Sequence, residues 1–202
     1  MSIRAFACVI VALAAFSAPP SFAGHSASET VETLHQSLLD VMKNAKTLGI
    51  NGRYDKLSAT LPKIYDFPRM IRIIVGSKWK TSNEEDRESL SNAFQRLSVT
   101  TYASQFSGYS GEIFEILPEM QGPRDAQIVE TNIIVKGRKA VPISYVLYDA
   151  GEGWKIVDVL LSKSISELAI RRSEYRAILK SGGVKRLIAV LNDKADDLLA
   201  AP

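Results

Sequence analysis

Apolar residues recur with a helical period up to about Phe106, with a period of two from Gly111, and with a helical period again beyond Ser164. That order constrains the fold more than any other feature of the chain. Strands that follow one another without intervening helices pair antiparallel, and the face such a sheet buries is covered by the flanking helices. The expected class is α+β: a curved antiparallel sheet of about four strands packed against several helices.

The N-terminal half supplies helices. Ser26-x-x-Glu29 has the spacing of a capping box ahead of Val31, Leu34, Leu38, Val41, Met42, Ala45 and Leu48. Asn51-Gly52 predicts a turn, followed by a short helix over 54–61 that stops at Pro62. Asp66 precedes a helix with Pro68 in its first turn and Met70, Ile71, Ile74 and Val75 along it. Ser82-x-x-Glu85 predicts a second box, opening a long helix with Leu90, Phe94, Leu97, Thr101 and Phe106 on one face. Strands are expected near 112–118, 126–136, 139–149 and 153–162, with turns at 136–139 and 149–153. Ser164-x-x-Glu167 predicts a third box and Gly182-Gly183 a stop. A last helix then carries Val184, Leu187, Ile188, Leu191, Ala195 and Leu198.

The first residues read as a leader. Met1 to Arg4 is a short positive segment, Ala5 to Phe16 is unbroken small or apolar, and Ser21 and Ala23 suit a cut after Ala23. The run is shorter than the about 20 apolar residues a membrane span needs, which argues against an anchor. Residues 1–23 are therefore expected to be a signal peptide and 24–202 one domain. Cys8, the single cysteine, falls in the leader without a lipobox around it. A cysteine-free mature chain of this length builds its core without disulfides, even in an oxidising compartment.

Several chemistries find no residues. One cysteine and two histidines leave little for thiol, zinc or imidazole catalysis, and His25 and His35 are read as exposed polarity. A net charge of +3 is too small to mark a nucleic-acid binder. Gly108-Tyr-Ser-Gly111 falls short of a nucleophile elbow, and no phosphate-binding glycine loop occurs. Glu84-Glu85-Asp86 opens a helix, where negative charge suits the dipole. Asp158 interrupts the apolar strand Ile156 to Leu161. It is either a general base beside a tyrosine such as Tyr145, or a hydrogen-bonded carboxylate that organises the next loop. Lys163, Arg171, Arg172, Arg176, Lys180, Lys185 and Arg186 form either a solvated helix face or a patch for anionic headgroups or an acidic partner. The spacing favours the solvated face.

Three stretches together resemble the MlaC or toluene-tolerance family of periplasmic phospholipid-binding proteins. Tyr65-Asp-Phe-Pro-Arg-Met-Ile-Arg-Ile-Ile-Val-Gly76 with Trp79 is similar to its Asp-Phe, Met and Gly-x-x-Trp pattern. Asp86-Arg87, Phe94, Leu97, Thr101-Tyr102-Ala103 and Tyr109 follow its long-helix positions. Gly153-Trp-Lys-Ile-Val-Asp158, Ser166, Arg172-Ser-Glu-Tyr175, Gly183 and Leu187 complete the match. Three positions depart from the pattern: Arg171 replaces a Tyr, Ser164 a Gly, and Asp86 a Gln. They bear on the ligand more than on the fold.

The resemblance implies an NTF2-like cone with extra helices that encloses acyl chains. It implies a soluble phospholipid carrier of an ABC-type intermembrane transport system, with no cofactor and no chemical step. Partners would be an inner-membrane ABC transporter and MCE-type complex and an outer-membrane lipoprotein complex. The family's hopanoid-associated branch is similar enough to keep a triterpenoid cargo open. An apolar pocket suits such cargo, because hiding a lipid tail gains about 0.8 kcal/mol per methylene. Candidate lipid-binding residues are Ile71, Ile74, Val75, Trp79, Phe94, Leu97 and Tyr102 of the helices. Val129, Ile133, Ile143, Tyr145 and Leu147 are the candidates of the strands, and Arg172 is the candidate headgroup contact. Each apolar one is otherwise ordinary core. The competing readings are a small enzyme on the same cone, using Asp158 and a tyrosine, and an envelope adaptor with a solid core.

Overall fold

The computed structural model describes residues 26–201. The expected leader and His25 lie outside them. Helix α1 (Ala27–Lys43) starts where the first capping box places it: Ser26 Oγ accepts from Glu29 N (3.1 Å) while Glu29 Oε2 accepts from Ser26 N (2.7 Å). Its stripe of Val31, Leu34, Leu38, Val41 and Met42 is buried as spaced.

Helix α2 (Ala45–Ile64) departs from expectation twice. The break falls at Gly49 (φ 58°, ψ −174°), while Asn51 and Gly52 are helical. Positive φ is what the bend requires, and an Asn-Gly pair turns the chain only when its backbone adopts it. Pro62 lies inside the helix, which runs on to Ile64. In the last turn a proline removes one backbone hydrogen bond without stopping the chain. Buried Arg53 ties the bend to the end of the long helix, donating from Nη1 to the Ala45 carbonyl (3.0 Å) and from Nε to that of Ala103 (2.7 Å).

Helix α3 (Phe67–Val75) is capped by Asp66, which accepts from Arg69 N (3.0 Å). After the short α4 (Ser77–Thr81) comes α5 (Glu84–Gln105). Its cap is Asn83, not Ser82: Asn83 Oδ1 accepts from Asp86 N (2.7 Å), so the helix starts one residue later than expected. Asparagine caps as well as serine; Ser82 is instead the C-cap of α4, its Oγ donating to the Lys78 carbonyl (2.8 Å), and the extended backbone of Asn83 itself keeps the helix from starting any earlier.

The sheet holds four strands near their expected places, β1 (Ile113–Ile116), β3 (Gln127–Ile134), β4 (Val141–Asp149) and β5 (Trp154–Leu161). Two short ones join them: β2 (Met120–Gln121) pairs with β3, and β6 (Ile165–Ser166) with β5. All these strand pairs are antiparallel, in the order β1-β3-β4-β5-β6, and the sheet is curved and unclosed. Tyr145 faces Val159 and Leu147 faces Ile156, so Val157 is an extra residue between them. Such a bulge bends its strand. The free edge of β5 is covered at one end by β6 and at the other by the α2–α3 junction, where Tyr65 bridges Ile156 and Asp66 N donates to the Ile156 carbonyl (3.0 Å).

Helix α6 (Glu167–Ala200) is capped by Ser166, which accepts from Ala169 N (3.1 Å), so the box expected at Ser164 does not form. Residue 165 is held in β6 and cannot enter a helix. Gly183 (φ 66°) breaks α6 where a stop was expected, and the helix resumes at once. One contiguous buried cluster then runs from Ala27 to Ala195. No helix among the described residues is long and apolar enough to cross a membrane.

Candidate functional site

Between the sheet and the helices lies a part-enclosed cavity of about 170 Å³. Ile133, Ile143, Tyr145, Val159 and Leu161 form its sheet wall. The register explains the grouping: Ile143 sits opposite Leu161 and Tyr145 opposite Val159, so alternate residues of neighbouring strands share one face. Phe94, Leu97 and Tyr102 of α5, with Phe106 at its C-cap, form the facing wall, and Tyr65, Phe67 and Met70 close one side. Leu168 and Tyr175 of α6 complete it, with Glu167 and Arg171 as its charged members.

Aromatic packing holds these walls. Tyr65 stacks on Phe67 (5.3 Å), Tyr102 on Phe106 (5.7 Å), and Phe67 meets Phe94 edge-on (6.1 Å). Tyr65 and Tyr102 share a 2.5 Å hydroxyl–hydroxyl hydrogen bond. The Tyr175 hydroxyl is buried with no partner among the described residues. Burial pushes the Tyr102 and Tyr175 phenols up to about 12 and those of Tyr65 and Tyr145 well above their usual value. All four are neutral at physiological pH, so they are hydrogen-bonding groups and not bases.

Six of the expected pocket residues line this cavity: Phe94, Leu97, Tyr102, Ile133, Ile143 and Tyr145. Ile71, Ile74, Val75, Val129 and Leu147 are buried in the core outside its wall. Trp79 is half-buried on α4 under the Arg87 guanidinium (5.8 Å from the ring). Arg172 is exposed and lies over Gly76, outside the wall, and its neighbour Arg171 takes the cavity position. Glu167, Arg171 and Tyr175 recur every fourth residue, a spacing that places them on one helix face. The rest of the basic run follows the solvated-face reading: Arg172, Arg176, Lys180, Lys185 and Arg186 are exposed and Lys163 pairs with Glu130 (2.7 Å).

Two further expectations resolve. His35 is not exposed polarity; it is 4% exposed, with its ring 4.6 Å from Phe114 and 5.8 Å from Tyr145. It lies four residues after Val31, on the buried face. Burial lowers its pKa from 6.5 to about 4. Asp158 is the loop organiser: its carboxylate accepts from Ser166 Oγ (2.6 Å), Val159 N (2.8 Å) and Leu168 N (3.1 Å), and it does not line the cavity.

Fold and site together define an α+β pocket protein, in which a curved sheet and a helix layer part around an apolar space. The chain belongs to the MlaC protein family, whose model matches residues 32–193. Among solved structures it is similar to the phospholipid-binding protein of Ralstonia solanacearum, determined in complex with a phospholipid. The two are 20% identical with a TM-score of 0.74, over 86% of this chain and 98% of that one. No curated protein sequence matches the chain.

Proposed function

We propose that this chain is a periplasmic lipid carrier, the soluble substrate-binding component of an ABC-type intermembrane transport system. One observation carries the reading: an apolar cavity between sheet and helices in a chain of the MlaC family. The phospholipid bound by the Ralstonia protein of like fold supports it. After removal of the leader behind Ala23, residues 24–202 act as one lipid-binding domain. An inner-membrane transporter with its MCE-type complex and an outer-membrane lipoprotein complex are the partners.

The cavity is smaller than the about 300–1,000 Å³ of pockets that enclose drug-sized ligands. Lipid tails therefore enter as the walls part, with the apolar side chains of α5 and of the sheet following the tails. Against a catalytic role stand the commitment of Asp158 to three hydrogen bonds and the neutrality of the buried tyrosines. Vesicle-to-vesicle transfer tests the reading. The mature chain is expected to move labelled phospholipid in proportion to its concentration; transfer no faster than spontaneous exchange contradicts it.

A further inference from the structure

We propose that Glu167 and Arg171 at the cavity rim select lipids whose headgroup carries both a phosphodiester and a primary ammonium. The inference rests on the carrier reading and names the headgroup that the same cavity takes.

Every other residue of the cavity wall is apolar or neutral. The two charges stand one turn apart on α6, each side chain 31% exposed, with Arg171 Nε 3.6 Å from Glu167 Oε2. That is an ion pair without a hydrogen bond. Arg171 Nη1 donates to Glu174 Oε2 (3.1 Å), while Arg171 Nη2 and both Glu167 oxygens have no hydrogen-bond partner among the described residues. One turn deeper, Tyr175 is 1% exposed and its hydroxyl is unpaired. The pair therefore presents an open donor, open acceptors and a buried hydroxyl to one space.

The charges act on that space. The phenols of Tyr65, Tyr102 and Tyr175 are raised first by burial, and the Glu167 carboxylate raises each further, while Arg171 pulls Tyr175 the other way. Arg172, the adjacent cation, lies over Gly76 instead. A phosphodiester takes N–H from Arg171 Nη2 and O–H from Tyr175, and a primary ammonium gives N–H to Glu167. A quaternary ammonium has no N–H to give. A headgroup with a phosphate and no cation leaves Glu167 unanswered beside its own negative charge, and Glu174 makes the rim more acidic still.

The test uses the mature chain without detergent and vesicles of equal parts phosphatidylethanolamine, phosphatidylcholine and phosphatidylglycerol. Bound lipid is extracted and quantified by mass spectrometry. Wild type is expected to hold the ethanolamine lipid about tenfold above its share in the vesicle, the scale of one added hydrogen bond to a charged group. Glu167→Gln is expected to remove that enrichment, so that the headgroup shares of the lipid it binds mirror those of the vesicle. Bound lipid that mirrors the vesicle in wild type, which needs no variant, overturns headgroup selection and leaves the carrier reading standing. Enrichment that persists in Glu167→Gln overturns the role of Glu167. No bound lipid of any kind overturns the carrier reading and this inference with it.

Discussion

Asp158 Oδ2 accepts a 2.6 Å hydrogen bond from Ser166 Oγ, and through it the middle of β5 holds the residue that caps α6. Asp158 Oδ1 accepts in addition from the N–H of Leu168, in the first turn of that helix. One carboxylate thus fixes where α6 begins, and with it the places of Glu167 and Arg171 at the cavity. Asp158→Ala is expected to cost about 2 kcal/mol, because the Ser166 hydroxyl and the Leu168 N–H lose their acceptor. A urea melt measures it.

The tyrosine pair is a coupled unit. Tyr65→Phe and Tyr102→Phe each strand one hydroxyl in an apolar wall and are expected to lose about 1–2 kcal/mol. The double variant strands none and is expected to cost less than the sum of the singles. A double-mutant cycle on denaturant midpoints reads the coupling; additive losses would mean that the two hydroxyls do not depend on each other.

His35 sets an acid limit on stability. It is neutral in the fold, with its pKa at about 4 against 6.5 unfolded, so the unfolded chain binds the proton first as pH falls. Stability therefore drops between about pH 6.5 and pH 4, by about 3 kcal/mol from this group alone. The ring faces Phe114 and Tyr145, and the groove beside it carries Glu29 and Glu32 of the same helix. His35→Phe preserves the shape and is expected to flatten that part of the pH–stability curve. An unchanged acid limb would assign it to other groups.

Filling the cavity separates pocket from core. Ile143→Trp puts extra bulk into the space opposite α5 and is expected to remove most bound lipid, at an overpacking cost of about 1–3 kcal/mol. Far-ultraviolet circular dichroism confirms the fold and lipid extraction gives the content. Full lipid content in a folded variant would place the lipid elsewhere.

The change of period at Gly111 and the return to helix near residue 165 made the α+β class and the four long strands legible. Local signals were weaker guides to boundaries. Ser82 and Ser164 have the capping-box spacing, yet Asn83 and Ser166 are the caps, because the extended backbone at 83 and the pairing of residue 165 in β6 keep the helices from starting earlier. Six wall residues followed from alternation and helical spacing, since lining a cavity and joining a core demand the same apolar face. What spacing does not carry is depth along that face, so Val129 and Leu147 fell in the core while Val159 and Leu161 fell on the wall. Arg171 was legible as one of the basic run and as a departure from the family's tyrosine, but its position facing the cavity depends on where Asp158 starts α6.

The most direct test of the account is native mass spectrometry of the mature chain purified without detergent, followed by organic extraction. Stoichiometric phospholipid, or a triterpenoid in its place, is the predicted result and names the cargo. A bare polypeptide mass that stays bare after incubation with phospholipid vesicles would contradict a lipid carrier.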